Sequence, residues 1–370
     1  TQRGWSMTIH VYTSFTFSYL SRARVLAESL RRHHPDWVIW AVITDLPPEG
    51  FDFDLAAEPF DRVLWTHEIF GDTTEGWLFG HDIVEACTAV KGRMLQLLLD
   101  EPDCEQVVYL DPDIAVFAPL DPMVAALRVP GTSILLTPHQ LVPDDSDLAI
   151  RDNEIGSLGY GVFNLGFIAV RADDTGRRFA AWWAARLAKW CHDDVAAGLF
   201  TDQKWCNLIP CFFDGVQICR DAGCNVASWN LSQRKVTITM SGDILVNGTP
   251  LRFYHFTKMG PIGDAMTERY AGSDTPVYEI WAWYKRAVSE AEISAIPSGW
   301  WHYGRFEDGR RIPKSIRLLY RNRTDLQKAF PAPRANLIEK IVQPHFRPAA
   351  CRASCAASRS DATCALLRSA

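Results

Sequence analysis

The chain has 370 residues, a formal net charge of −6 from 38 Lys and Arg against 44 Asp and Glu, and 48% hydrophobic residues. That is enough apolar material for a substantial core in one large domain or two, and the acidic balance without a long Lys/Arg run excludes a general nucleic-acid binder. No apolar run approaches eighteen residues, so no transmembrane segment is expected, and the opening Thr1-Gln2-Arg3-Gly4-Trp5-Ser6 lacks the apolar centre of a secretory leader. The expectation is a cytoplasmic protein, with a peripheral position at the inner membrane face left open.

The elements follow in chain order. A short strand over 9–12 runs into the polar stretch Thr13-Ser14-Phe15-Thr16-Phe17-Ser18, read as a turn. Leu20, Val25, Leu26 and Leu30 then recur at helical spacing up to the stop at Pro35, and 37–43 reads as a second buried strand ending at Thr44-Asp45. Strand, helix and strand make a βαβ unit, which implies a parallel sheet with ligands at the carboxyl ends of its strands, where Thr13, Ser14 and Asp45 would lie. A helix over 84–99 carries Lys91 and Arg93, and further strands are expected over 107–110, 133–137 and 161–170. Residues 179–190 form an amphipathic helix whose Trp182, Trp183 and Trp190 are read as packing. After about Pro261 the βα rhythm gives way to helical and aromatic segments, and residues 347–370 are expected to form a loose tail. This divides the chain into a nucleotide-sugar-binding and catalytic unit (7–260), a helical and aromatic extension (261–346) and the tail. The ten cysteines contain no C-x₂-C pair, so Cys206, Cys211, Cys219 and Cys224 are read as buried free thiols and no zinc is assigned.

The segment Val107-Val108-Tyr109-Leu110-Asp111-Pro112-Asp113 carries the chemistry. A strand alternates its side chains with period two, so Asp111 and Asp113 are expected on one side of the strand end, with Pro112 stiffening the turn. Two hard oxygen ligands at a sheet edge suit Mg²⁺ or Mn²⁺, which keep positions open for the phosphates of a nucleotide diphosphate. An isolated Asp-x-Asp is more often a plain turn. Here three further segments follow it in order: Phe163-Asn164-Leu165-Gly166-Phe167, Thr201-Asp202-Gln203-Lys204 and Phe253-Tyr254-His255-Phe256.

With the βαβ opening, these segments resemble a nucleotide-sugar glycosyltransferase of the GT-A fold, closest in pattern to retaining glycosyltransferase family 8, which includes galactosyltransferases and glycogenin. The resemblance spans roughly residues 8–260. It implies a Rossmann-like mixed α/β sheet with flanking helices, and a sugar moved from a nucleotide-diphosphate donor, UDP favoured, to a glycan, glycolipid or small-molecule acceptor. By position, it makes Asp111, Asp113 and His255 the ligands of Mn²⁺, or Mg²⁺, with Asp111 also reaching the ribose. Imidazole beside two carboxylates independently favours Mn²⁺. Lys91 and Arg93 become cations for the donor sugar and phosphates, and Asn164 and Gly166 a donor-sugar contact and a close backbone approach. Asp202 and Gln203 become the catalytic pair beside the anomeric carbon. Tyr19 falls in the nucleotide loop, and Trp229 and Asn230 are weaker candidates for the acceptor cleft.

Three departures from the family pattern stand out. Lys204 follows Asp202-Gln203 where some members carry a second acid, which disfavours a covalent double displacement. The loop before Tyr19 reads Thr16-Phe17-Ser18 instead of holding the Asp that reads uracil, so base identity stays open. The usual ending after the histidine is reduced to His255-Phe256-Thr257-Lys258-Met259-Gly260-Pro261, with Lys258 a candidate for the diphosphate. The alternative readings are a nucleotidyltransferase of the same fold, which the missing Gly-rich phosphate loop disfavours, and a non-catalytic nucleotide-sugar or glycan-binding protein.

Overall fold

A computed structural model describes residues 7–273 and 275–335, so the tail expected over 347–370 lies outside the described residues. The strands are β1 (Thr8–Phe15), β2 (Val38–Ile43), β3 (Arg62–Trp65), β4 (Cys104–Leu110), β5 (Ile114–Val116), β6 (Ile134–Pro138), β7 (Phe163–Arg171), β8 (Asp193–Asp194), β9 (Leu199–Phe200), β10 (Val216–Ile218), β11 (Val236–Ile238), β12 (Ile244–Val246), β13 (Thr249–Pro250) and β14 (Phe253–His255). Seven of them form one sheet in the order β10-β6-β7-β4-β1-β2-β3. Only β7 runs against its neighbours β4 and β6, and the other pairings are parallel. The expected Rossmann-like mixed sheet with flanking helices is therefore the architecture of this chain.

The central strands alternate between two cores. Val11, Ile39, Ala41, Val108 and Leu110 face one, beneath helix Leu20–His33, while Tyr12, Trp40, Val42, Val107 and Tyr109 face the other. Burial on both faces explains why β1, β2 and β4 read as nearly continuous apolar runs. One boundary differs from expectation. Thr13, Ser14 and Phe15 do not turn away but continue β1, pairing in register with Ala41, Val42 and Ile43. The Ser14 hydroxyl donates to the Cys87 carbonyl at 2.7 Å, so a polar residue is tolerated inside the sheet.

The second core holds helix Ile83–Leu99 against helix Asp174–Trp190. Asp82 caps the first of these by accepting from the Val84 and Glu85 N–H groups, and the Glu85 carboxylate reaches back to the Asp82 N–H. The two helices touch at Gly92, where a Cβ would lie 2.7 Å from the Ala184 Cα. Trp183 is fully buried there, whereas Trp190 is largely exposed. Of the four thiols read as buried, Cys206 and Cys224 are, Cys219 is partly covered, and Cys211 is exposed on the short helix Ile209–Phe212.

The strand β14 pairs antiparallel with β5, setting His255 opposite Ile114. Helix Val277–Glu290 covers this pair through Ile280, Trp281 and Tyr284, which pack with Tyr254 and Phe256. Farther along, Arg317 on helix Lys314–Arg321 is buried and donates to the carbonyls of Phe79, His81 and Tyr303 at 3.0, 2.8 and 2.7 Å. Segments beyond residue 261 thus pack both on the β5–β14 pair and against the segment that leads into helix Ile83–Leu99. Among the described residues, no helix is long and apolar enough to cross a membrane.

Replacing Gly92 by Ala should force these two helices apart. A loss of about 1–3 kcal/mol in urea-induced unfolding is expected for such overpacking, and an unchanged midpoint would show that the contact yields freely.

Candidate active site

Strand β4 ends at Leu110, and Asp111-Pro112-Asp113 forms a tight turn into β5, closed by Ile114 N–H donating to the Asp111 carbonyl at 3.1 Å. The two acids therefore do not share a strand face, as strict alternation would have it. The alternation does hold for Tyr109 and Asp111, whose side chains meet with the phenol donating to Asp111 Oδ1 at 2.5 Å. Asp113 comes round through the turn instead. Pairing of β5 with β14 and a Phe256 N–H to Asp113 carbonyl bond of 2.8 Å then deliver the imidazole. His255 Nε2 lies 3.1 Å from Asp113 Oδ1 and 3.7 Å from Asp111 Oδ2.

A second set of bonds orients that ring. Asn164 Oδ1 accepts the Gly166 N–H at 3.1 Å and faces His255 Nδ1 at 3.2 Å. An oxygen at that position selects the proton on Nδ1 and turns Nε2 toward the carboxylates. Gly166 is required for this approach, since a Cβ there would stand 2.5 Å from His255 Cε1. Burial works to lower the imidazole's pKa, but the Asp113 carboxylate outweighs it and raises it. Burial likewise opposes ionisation of Asp113, and His255 prevails in holding its pKa low. Three ligand-type atoms, one each from Asp111, Asp113 and His255, lie within 4.8 Å of one another. One imidazole nitrogen and two carboxylates are a donor set that fits a divalent metal such as Mn²⁺.

Lys91 sits beside this trio, 1% exposed. Its Nζ contacts Asp111 Oδ1 at 3.0 Å and Asp202 Oδ2 at 2.9 Å, and donates to the Leu165 carbonyl at 3.1 Å. The ammonium also lies 4.1 Å from the Tyr109 ring centre. Burial alone would lower the lysine's pKa, yet the two carboxylates raise it, so the charge persists. Asp202 is raised by its own burial even though Lys91 opposes the shift. Gln203 is pinned at both ends: its Oε1 accepts from Leu165 N–H at 3.2 Å and from Asn164 Nδ2 at 3.3 Å, and its Nε2 donates to the Tyr160 carbonyl at 3.0 Å.

The structure thus brings Lys91, Asp111, Asp113, Asn164, Gly166, Asp202, Gln203 and His255 together. Ser14 joins through its hydroxyl, 3.2 Å from that of Tyr109. Tyr19 is partly exposed at the cleft mouth, its hydroxyl raised first by burial and then by nearby Asp113. Thr13 is buried in the sheet. Asp45 accepts from the backbone N–H groups of Phe17, Leu46 and His302 at 3.1, 2.9 and 2.7 Å, tying the first loop to the 302 segment, and burial pushes its carboxyl up to about 7. Arg93 is not brought in. Residues two apart on a helix face away from each other, and it is exposed, donating to Gln96 at 3.1 Å. Lys258 is exposed in a left-handed turn with φ of 53°. Trp229 meets the His255 ring edge-on at 5.3 Å, whereas Asn230 is fully buried and bonded to the carbonyls of His139 and Asn225. Sequence reasoning passed over Tyr109, His139, Tyr160 and Arg22. Tyr109 alone carried a signal, two residues before Asp111 on the same strand.

No family model matches this chain. It is similar to two uncharacterized proteins of Bacillus subtilis (strain 168). YfnF is 30% identical over 177 residues, 48% of this chain and 57% of YfnF, and YfnD is 25% identical over 303 residues, 78% of this chain and 86% of YfnD. The match thus spans little more than half the length of YfnF. Among solved structures, the galactosyltransferase LgtC in complex with donor and acceptor sugar analogs is similar at 15% identity, with a TM-score of 0.43 over 79% of this chain and 99% of LgtC. The glycosyltransferase GlyE of Streptococcus pneumoniae TIGR4 is similar at 16% identity and a TM-score of 0.43, over 77% of this chain and 63% of GlyE.

Replacing Lys91 by Met should leave the buried Asp202 and the half-buried Asp111 without their shared counter-charge. A loss of about 3–5 kcal/mol is expected for removing one partner of a buried ionic set, read as the shift in urea unfolding. Adding Asp202→Asn to Lys91→Met should recover part of it, and strict additivity of the two changes would contradict the coupling.

Proposed function

We propose that this protein is a metal-dependent glycosyltransferase that moves a sugar from a nucleotide-diphosphate donor to a glycan, glycolipid or small-molecule acceptor with retention at the transferred carbon. The observation that carries this reading is the convergence of Asp111, Asp113 and His255 at the sheet edge directly beside the buried Lys91–Asp202 pair. Ligands of open α/β sheets bind outside the carboxyl ends of the strands, which is where β1 and β4 bring these groups. Asp111, Asp113 and His255 would hold Mn²⁺, or Mg²⁺, and the bound ion supplies Lewis-acid neutralisation of the departing diphosphate.

The remaining residues divide the work on the sugar. Lys91 holds the Asp202 carboxylate in place, and Asp202 accepts hydrogen bonds from sugar hydroxyls. Asn164 spans His255 and Gln203, so the metal side and the sugar side are held in one hydrogen-bonded frame. The glycosidic C–O bond to the diphosphate breaks, the acceptor oxygen bonds to the same carbon on the same face, and its proton passes to the departing phosphate oxygen. A covalent route through the protein is disfavoured by the charges present. Asp202 is engaged by Lys91, and the next residue after Gln203 is Lys204. In this reading the protein draws on a cytoplasmic pool of nucleotide sugars, UDP-sugars favoured.

Two measurements test this reading. In a thermal-shift panel of UDP-, dTDP- and GDP-sugars with Mn²⁺, one donor at ~100 Kd should add about 2.7 kcal/mol of stability, and a flat response across the panel would sink the donor assignment. With the responding donor, Mn²⁺-stimulated hydrolysis in the absence of acceptor should vanish in Asp113→Ala and His255→Ala. Hydrolysis retained in Asp113→Ala would exclude a catalytic role for the acid pair.

A further inference from the structure

Two buried polar groups near Asp113 have no hydrogen-bond partner in the protein. Arg22, on the first turn of helix Leu20–His33, is half-buried, with its guanidinium carbon 4.1 Å from the centre of the Tyr19 ring. Its Nε is buried without a hydrogen-bond partner. Tyr284 is fully buried, with its ring stacked on Phe256 at 3.7 Å, and its hydroxyl is unsatisfied as well. Both groups gather around one carboxylate. Helix Leu20–His33 runs along β5, with the Ser29 hydroxyl accepting the Val116 N–H at 3.0 Å and Val25 packing with Ala115, so its first turn and Arg22 fall toward the Asp113 end of that strand, while Tyr284 stacks on Phe256, whose N–H bonds to the Asp113 carbonyl. Buried donors in folded proteins are nearly always paired, so two orphans in one place mark bonds that a bound molecule completes.

The charges nearby decide what that molecule is. Lys91 is already committed to Asp111 and Asp202, Arg93 lies on the outer face of its helix, and Lys258 is exposed. Among the described residues Arg22 forms no ion pair, so its donors remain open beside the metal-type cluster. A guanidinium presents a planar fork that matches two phosphate oxygens, and an aromatic face behind it fixes the plane of the fork.

We propose that Arg22 binds the diphosphate of the nucleotide donor, with the Tyr284 hydroxyl as a second donor to the same group. The inference rests on the nucleotide-diphosphate reading of the site above. In that role Arg22 is a substrate-binding residue supplied by the βαβ opening itself, and Tyr19 acts through it as a positioning residue.

Calorimetric titration of the full chain with UDP, GDP and dTDP in the presence of Mn²⁺, each against its monophosphate, tests the proposal. The diphosphate that binds the unchanged protein should bind Arg22→Ala about tenfold or more weakly, as expected for loss of a charge-assisted contact. The monophosphate should change little, and Arg22→Lys should fall between. Alanine favours the helix, so the unfolding midpoint of Arg22→Ala should stay near that of the unchanged protein. Tyr284→Phe, which keeps the stack on Phe256, should weaken the diphosphate selectively by a smaller factor. Diphosphate affinity unaltered in both Arg22 variants would overturn this inference while leaving the donor reading intact. Failure of all three diphosphates to bind the unchanged protein would overturn the donor reading and this inference with it.

Discussion

The site depends on a single buried cation. Lys91 lies in the interior between Asp111 and Asp202 and faces both carboxylates. Its ammonium hydrogen-bonds to Asp111 and to the Leu165 carbonyl and forms an ion pair with Asp202, so its buried charge is compensated on three sides. Buried ion sets of this type contribute little net stability compared with an apolar core, but they fix geometry. Here the geometry joins the acid from the β4 turn to the acid preceding Gln203, whose amide is held against the neighbouring strand β7 at Leu165.

The scaffold makes that arrangement rigid. The helix bearing Lys91 is capped by Asp82, and its close contact at Gly92 with helix Asp174–Trp190 leaves it no room to shift. The Tyr12 hydroxyl donates to the Lys91 carbonyl at 2.9 Å, linking the helix to the first strand. Trp183 Nε1 donates to the Asp202 carbonyl at 3.3 Å, linking the other acid to the opposing helix. Lys91 and Asp202 are thus each backed by a buried contact to their backbone, which keeps the pair in a fixed arrangement.

Much of this was legible in the chain. The βαβ opening, the buried strand before Asp111 and the helix carrying Lys91 follow from hydrophobic period and stop signals, which act locally. The order of the Asp, Asn, Asp-Gln and His segments identified the cluster before any coordinates. Facts set by three-dimensional detail were out of reach. Period two correctly associates Tyr109 with Asp111, but whether Asp113 follows a strand or a turn is decided by the Ile114 to Asp111 hydrogen bond. Lys91 and Arg93 are two residues apart and chemically alike, and only the rotation of the helix against its neighbour puts one inside and the other in water. Thr13 to Phe15 looked like a turn because polar residues are costly in a sheet, and the Cys87 carbonyl that satisfies Ser14 comes from 73 residues away. Arg22 gave no signal because a single arginine on an amphipathic helix is the commonest of surface features.

The imidazole rests on a very short anchorage. β14 is three residues long and pairs with an equally short partner, so this pair by itself is a weak restraint. Its reinforcement comes from behind, through Phe256 lying flat against Tyr284 on helix Val277–Glu290. A load between the acids and the ring is therefore passed through stacked aromatic rings into helix Val277–Glu290. The helix Val277–Glu290 then acts less as an appendage than as a buttress whose own folding sets how firmly the His255 side of the acid cluster is held.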